Sequence, residues 1–247
     1  MDLKQLEYFV RVAELGGFTK AARRLMLAHG IGILLLETRF ARMPGDLGNA
    51  TTFDFPVRIK MVKGATVQKI IMDGDNSSLN DFIAAAKELE ADGVRAITTS
   101  CGYLTTIQQP LIEAVNIPVF CSSLLQVPMI SRMMPVGKKV GILTLDSRRL
   151  TKHHLELAGI TNEALHFIGA ESTPEFYNNC AGIVEDYDPK DVERGVVELV
   201  MKHVKEKPDI GAIVCEGINF APYAAAVQEA VNPVSYTHLT LPTNREV

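Results

Sequence analysis

Two short stretches of the chain end an apolar run in small residues and a thiol: RAITTSCGYL, residues 95–104, and GAIVCEGINFAPYA, residues 211–224. In the first, Thr99 and Ser100 precede Cys101, and Gly102 and Tyr103 follow it; in the second, Cys215 leads into Glu216, Gly217, Ile218 and Asn219. A free thiol titrates near pH 8.5, and a helix N-terminus or nearby donors bring it toward working pH, where the thiolate is both base and nucleophile. The same residue inside an apolar strand is a small buried hydrophobe. Each cysteine is therefore either half of a catalytic pair or core packing, and one function follows if both thiols work, another if only the first does.

The elements that must carry these stretches are legible from period and punctuation. Apolar runs at residues 31–37, 57–62, 96–100, 118–120, 139–145, 165–169 and 211–216 alternate with helical patterns such as LNDFIAAAKELEADG, which ends at Gly93, and the segment 188–208, which opens on Asp188-Pro189. That alternation predicts an α/β fold with parallel sheets flanked by helices. The pattern restarts at about residues 134–138, so the body divides into two similar lobes, 26–134 and 135–233. In such sheets ligands bind beyond the carboxyl ends of the strands. Here those ends carry Glu37-Thr38, Thr98 to Gly102, Cys121-Ser122-Ser123, Thr144 to Ser147, and Cys215 to Asn219. Any one set serves as a helix N-cap; together they form a donor-rich cleft suited to a small carboxylate, with Ser122 and Ser123 as candidate donors. Glu216 is open to three roles: a base, a cap, or a partner for the neighbouring lobe. Cys121 and Cys180 are expected to pack, and His153 and His154 to be solvated on a helix.

Composition narrows the function classes. With 47% hydrophobic and 22% charged residues and a net charge of −4, the 247-residue chain suits a globular protein without a general nucleic-acid-binding surface. No apolar run reaches the roughly 18 residues of a membrane span, and no secretory leader pattern opens the chain, so a cytoplasmic location is expected. The four cysteines never stand at CxxC spacing and no histidine joins them, so no metal site or disulfide framework is expected. A homo-oligomer is left open.

Both ends depart from the body. Residues 234–247, VSYTHLTLPTNREV, begin with ten residues whose codons can spell a transposon-end sequencing adaptor, and they are expected to be a non-native tail. Residues 1–25 resemble the opening of the LysR-type transcription regulators: Leu3, Leu6, Phe9, Val10 and Ala13 share a helical face before Gly16-Gly17 and a second helix start. The recognition helix that should follow is missing. The segment is thus expected to be misjoined, with DNA binding not implied.

At TTSCGYL, VFCSSLLQVP, GILTLDSRRLTKHHL and IGAIVCEGINFAPYAAAVQEA the body, about residues 31–233, resembles the aspartate/glutamate and hydantoin racemase superfamily, in the branch with a leading PGDLGN-like loop at residues 44–49. The resemblance implies two lobes about a pseudo-twofold axis with the active site in the cleft between them, the second lobe here lacking its final elements. It implies cofactor-independent proton transfer at the carbon beside a carboxylate, by one thiolate and one thiol. Cys101 matches the first catalytic position. Gly217 stands where the second cysteine is expected, and Cys215, two residues earlier on the strand, lies some 6.5–7 Å too deep. Thr99, Ser100, Gly102, Tyr103, Ser122, Ser123 and Asn219 are the implied substrate-binding residues. The expected function is a racemase impaired by loss of its second thiol, with a single-thiol decarboxylase-like enzyme or a carboxylate-binding protein as alternatives.

Overall fold

The computed structural model describes residues 30–181, 187–231 and 233–236; the regulator-like segment 1–25 and most of the tail, 237–247, lie outside them. Among the described residues, eight strands form two parallel sheets. In the first lobe, β1 (Ile31–Glu37), β2 (Val57–Thr66), β3 (Ala96–Thr99) and β4 (Val119–Phe120) lie in the order β2-β1-β3-β4. In the second, β5 (Lys139–Thr144), β6 (Leu165–Gly169), β7 (Ile210–Cys215) and β8 (Val234–Tyr236) repeat that order as β6-β5-β7-β8. The two sheets are thus built alike, and the parallel α/β expectation holds.

The central strands are apolar throughout because both of their faces are covered: Leu34 and Leu36 of β1 join the core that holds Phe82 and Leu89, Ile33 and Leu35 pack with Leu47 and Ile218 on the other face, and Ala212 to Cys215 in β7 are buried. Helix α1 (Leu79–Ala91) buries Phe82, Ala85, Ala86 and Leu89, and Gly93 closes it with a φ of +90° that disfavours other residues. Four short helices follow: α2 (Gln108–Ala114), α3 (Val127–Met133), α4 (Lys152–Leu157) and α5 (Pro174–Cys180). Helix α6 (Pro189–Glu206) begins at Asp188, whose carboxylate accepts from the Lys190 amide, with proline at the first turn as the sequence predicts. Helix α7 (Ala224–Ala230) leads into β8.

Val234 to Tyr236, the first residues of the segment expected to be non-native, pair in parallel with Ala212 to Val214. A sheet edge offers a row of unpaired backbone groups that almost any extended chain satisfies, whatever its side chains.

The lobes meet through buried polar contacts. The Ser123 hydroxyl donates to the Cys215 carbonyl at 2.7 Å, and the Tyr103 hydroxyl lies 2.8 Å from both the Thr144 hydroxyl and the Asp146 carbonyl. Among the described residues no helix is long and apolar enough to cross a membrane, and no group of three His, Cys, Asp or Glu side chains could hold a metal ion.

Candidate active site

The strand ends β1, β3 and β7 open onto one cleft of about 400 Å³ including its mouth, lined by Cys101, Ser100, Glu216, Gly217 and Asn219 together with Thr38, Phe40, Arg42, Phe176 and Phe220. Cys101 stands at the turn where β3 ends and a 3-10 segment, Gly102–Ile107, begins. It is 5% exposed. Burial pushes its thiol well above the ordinary range, and the Glu216 carboxylate adds to the effect; the amides of Tyr103 and Leu104 and the Arg42 charge work the other way.

Glu216 is 1% exposed and sits directly after β7. Burial raises its carboxyl to about 7, against the Thr144 hydroxyl, which donates to Oε2 at 2.9 Å, and the neighbouring amides of Gly102, Tyr103 and Leu145. Even so, Oε1 is left without a well-formed hydrogen bond. A Cβ at residue 102 would lie 2.3 Å from Oε1 and 2.6 Å from the Glu216 carbonyl, so the approach of the two strand ends requires glycine.

Arg42 is the residue that sequence reasoning missed. Its guanidinium donates to Asp46 at 2.9 and 3.2 Å and to Thr38 at 3.0 Å, and it lies over the Phe40 ring, 5.0 Å from the centroid. The PGDLGN-like loop holds it there: the Asn49 amide donates to the Arg42 carbonyl, and a Cβ on Gly48 would collide with the Arg42 side chain. The opposite charges of Arg42 and Asp46, four residues apart beside that loop, were the available signal.

The other predicted positions divide. Gly217 faces the cleft, and a Cβ there would meet only the Phe220 ring, at 3.6 Å and beyond, so the position is open. Asn219 lines the cleft and donates to the Cys180 sulfur at 3.2 Å. The Ser100 hydroxyl accepts from the Leu36 amide. Thr99, Ser122 and Ser123 are turned into the fold: Thr99 donates to the Cys121 carbonyl, Ser122 caps the turn at Leu124, and Ser123 joins the lobes. Tyr103 is buried in that same junction. Cys215 and Cys121 are buried and pushed up to about 12 by burial. His154 is half-buried, not solvated: it accompanies Thr151 at the start of α4 and meets Tyr103 edge-on.

A second cavity of about 300 Å³, bounded by Asp46, Asn179, Cys180, Tyr187 and Tyr223, shares Phe40, Phe176 and Asn219 with the cleft. Phe176 and Phe220, which both line the cleft, stack with centroids 4.2 Å apart.

This arrangement defines an α/β protein of the racemase-like fold. The chain superposes on glutamate racemase RacE1 from Bacillus anthracis with a TM-score of 0.53 at 12% identity, over 86% of this chain and 77% of that one. On a glycine-to-cysteine mutant of arylmalonate decarboxylase the TM-score is 0.54 at 15% identity, over 85% and 88%. No family model matches. In sequence, the chain is 28% identical over 208 residues to a dimethylsulfoniopropionate lyase of Durusdinium sp. clade D, covering 81% of this chain and 68% of that protein. It is also 28% identical over 211 residues to dimethylsulfoniopropionate lyase 7 of Emiliania huxleyi, covering 81% and 61%. The chain thus spans about three fifths to two thirds of the length of these relatives.

These relatives are lyases, and they overturn the racemase expectation. The physical reason is that a strand-end thiol does not distinguish the two reactions, since proton abstraction by a racemase and by a lyase both call for a base. Whether the proton is returned is decided elsewhere.

Proposed function

We propose that the chain is a lyase that eliminates dimethyl sulfide from dimethylsulfoniopropionate or a similarly short carboxylate bearing an onium group on the next carbon. In this reaction a base takes a proton from the carbon beside the carboxylate. The C–H electron pair becomes the carbon–carbon double bond, the carbon–sulfur pair leaves on sulfur, and acrylate and neutral dimethyl sulfide result. The step balances with one base.

The observation that carries this reading is the pairing of one thiol with one arginine in a single cleft: Cys101 and Arg42 both line it, and Cys101 is the one cysteine that does so among the described residues. A racemase needs a second acid on the opposite face; Gly217 supplies none, and an elimination asks for none. Arg42 retains N–H donors beyond those given to Asp46 and Thr38, and a guanidinium matches a carboxylate in planar geometry. That anchor puts the acidic carbon toward Cys101. The leaving group carries a positive charge, and the Phe176 and Phe220 rings supply faces that attract cations. The 28% identity to the two lyases, spread over 81% of the chain, supports the same reaction.

The test is release of dimethyl sulfide from dimethylsulfoniopropionate, followed by headspace gas chromatography. Wild type is expected to release it, and Cys101→Ser to lose about 10³-fold in kcat/KM, within the usual reach of a positioned base. Full activity in Cys101→Ser, or none above the uncatalysed rate in wild type, overturns the reading.

A further inference from the structure

We infer that Glu216 is the proton-accepting partner of Cys101, taking the thiol proton as the thiol takes the substrate's. The inference rests on the lyase reading for its reaction, and on the cleft alone for the coupling. Three geometric facts carry it. Glu216 lines the same cleft as Cys101. Its Oε1 is buried without a well-formed hydrogen bond, a costly condition for a carboxylate and one that leaves an acceptor free. The backbone directly after Cys101 approaches that same oxygen so closely that only glycine fits at residue 102.

The second oxygen is held in a chain of hydroxyls. Thr144 donates to Oε2 at 2.9 Å, and the Tyr103 hydroxyl stands 2.8 Å from Thr144 and 2.8 Å from the Asp146 carbonyl it donates to. The carboxylate is thereby fixed on one side and open on the other. The titratable groups around it are Cys101 and Tyr103 from the turn after β3, Cys215 on its own strand, and Arg42, whose charge lowers the Cys101 thiol; burial first, and then the Glu216 charge, push Cys101, Tyr103 and Cys215 up. The Asp146 carboxylate is turned away, onto Arg148.

A thiol and a carboxyl that line one buried cleft and act on each other electrostatically carry one negative charge between them, because two would repel in a low dielectric. At rest the charge sits on Glu216 and the thiol is protonated. When substrate binds, the S–H proton passes to Glu216 as the substrate C–H pair moves into the new double bond and its proton bonds to sulfur. Glu216 then returns its proton to solvent through the cleft mouth.

The experiment is alkylation of the full chain with iodoacetamide from pH 6 to 10, with each cysteine followed by mass spectrometry, alongside dimethyl sulfide release over the same range. In Glu216→Gln the repelling charge is gone, so Cys101 is expected to alkylate about tenfold faster at pH 8, while turnover falls about 100-fold and its limb near pH 7 disappears. A merely structural role does not move the two readouts in opposite directions. Cys121, Cys180 and Cys215 are expected to stay unlabelled. If all four label, the variant has opened, and Thr144→Val decides: loss of the donor to Oε2 is expected to move the limb to higher pH. A Cys101 alkylation profile unchanged in Glu216→Gln, or an unmoved limb in Thr144→Val, overturns the inference. If wild type releases no dimethyl sulfide while the alkylation profiles shift as stated, the coupling stands and the lyase reading falls.

Discussion

At the scale of single residues, Gly217 and Arg42 carry the most information. Gly217 stands at a strand end where the sequence resemblance implied a second thiol, and the space beyond it is open: an added Cβ meets only the Phe220 ring at ordinary van der Waals distance. Gly217→Cys is therefore expected to fold. Because elimination returns no proton to the carbon, the new thiol is expected to leave dimethyl sulfide release within about twofold of wild type, where one well-placed acid or base in a reaction that needs it brings about 100-fold or more. A gain of tenfold would show that a second acid was missing. Arg42 was not legible in the sequence, because an arginine in a polar loop looks the same whether it faces solvent or folds back over a cleft. Its direction comes from Asp46, Asn49 and the absent Cβ of Gly48.

At the scale of elements, the site is a meeting of strand ends and the turns that follow them. β3 ends at Thr99, two residues before Cys101, and β7 at Cys215, directly before Glu216, and the turns that follow touch where Gly102 meets the Glu216 side chain and carbonyl. Gly102→Ala places a methyl group inside that contact, against backbone as well as side chain, so neither element can give way cheaply. A cost of about 1–3 kcal/mol is expected, read as a lower denaturant midpoint with an unchanged slope, together with loss of activity. An alanine variant with the wild-type midpoint and rate would refute the close approach. The strands themselves were legible: seven of the eight fall on the apolar runs, with shifts of a residue or so at most ends and a longer β2, because burial on both faces writes a continuous apolar stretch into the sequence. β8 was not, since edge pairing depends on backbone groups and leaves little trace in side-chain pattern.

For the whole molecule, the buried Glu216 carboxyl has a consequence for stability. In the unfolded chain it releases its proton near 4.5, while in the folded protein burial raises it to about 7. The folded state therefore binds one more proton between these values, and stability falls as pH rises through that window, by on the order of 3 kcal/mol in all. Glu216→Gln cannot titrate there. Its melting temperature is expected to fall by about 5–10 °C less than that of wild type between pH 5 and pH 8. Calorimetric curves that run parallel for the two proteins would show that the carboxyl is solvated after all.

The sequence by itself determined the α/β class, the two similarly ordered lobes and the strand-end thiol at Cys101, because these are written in local period and in residue types at fixed positions along the chain. It could not say which polar strand ends face the cleft. Ser122 and Ser123 look as suited to a carboxylate as Ser100, yet their hydroxyls are spent on a turn and on the junction between lobes. Tertiary structure alone brought Arg42, Cys101 and Glu216 to one cleft from three distant parts of the chain. It also left one oxygen of the Glu216 carboxyl, in the cleft that Cys101 lines, without a hydrogen-bond partner. Such a meeting depends on how two sheets and their loops close on each other, and no local pattern records it.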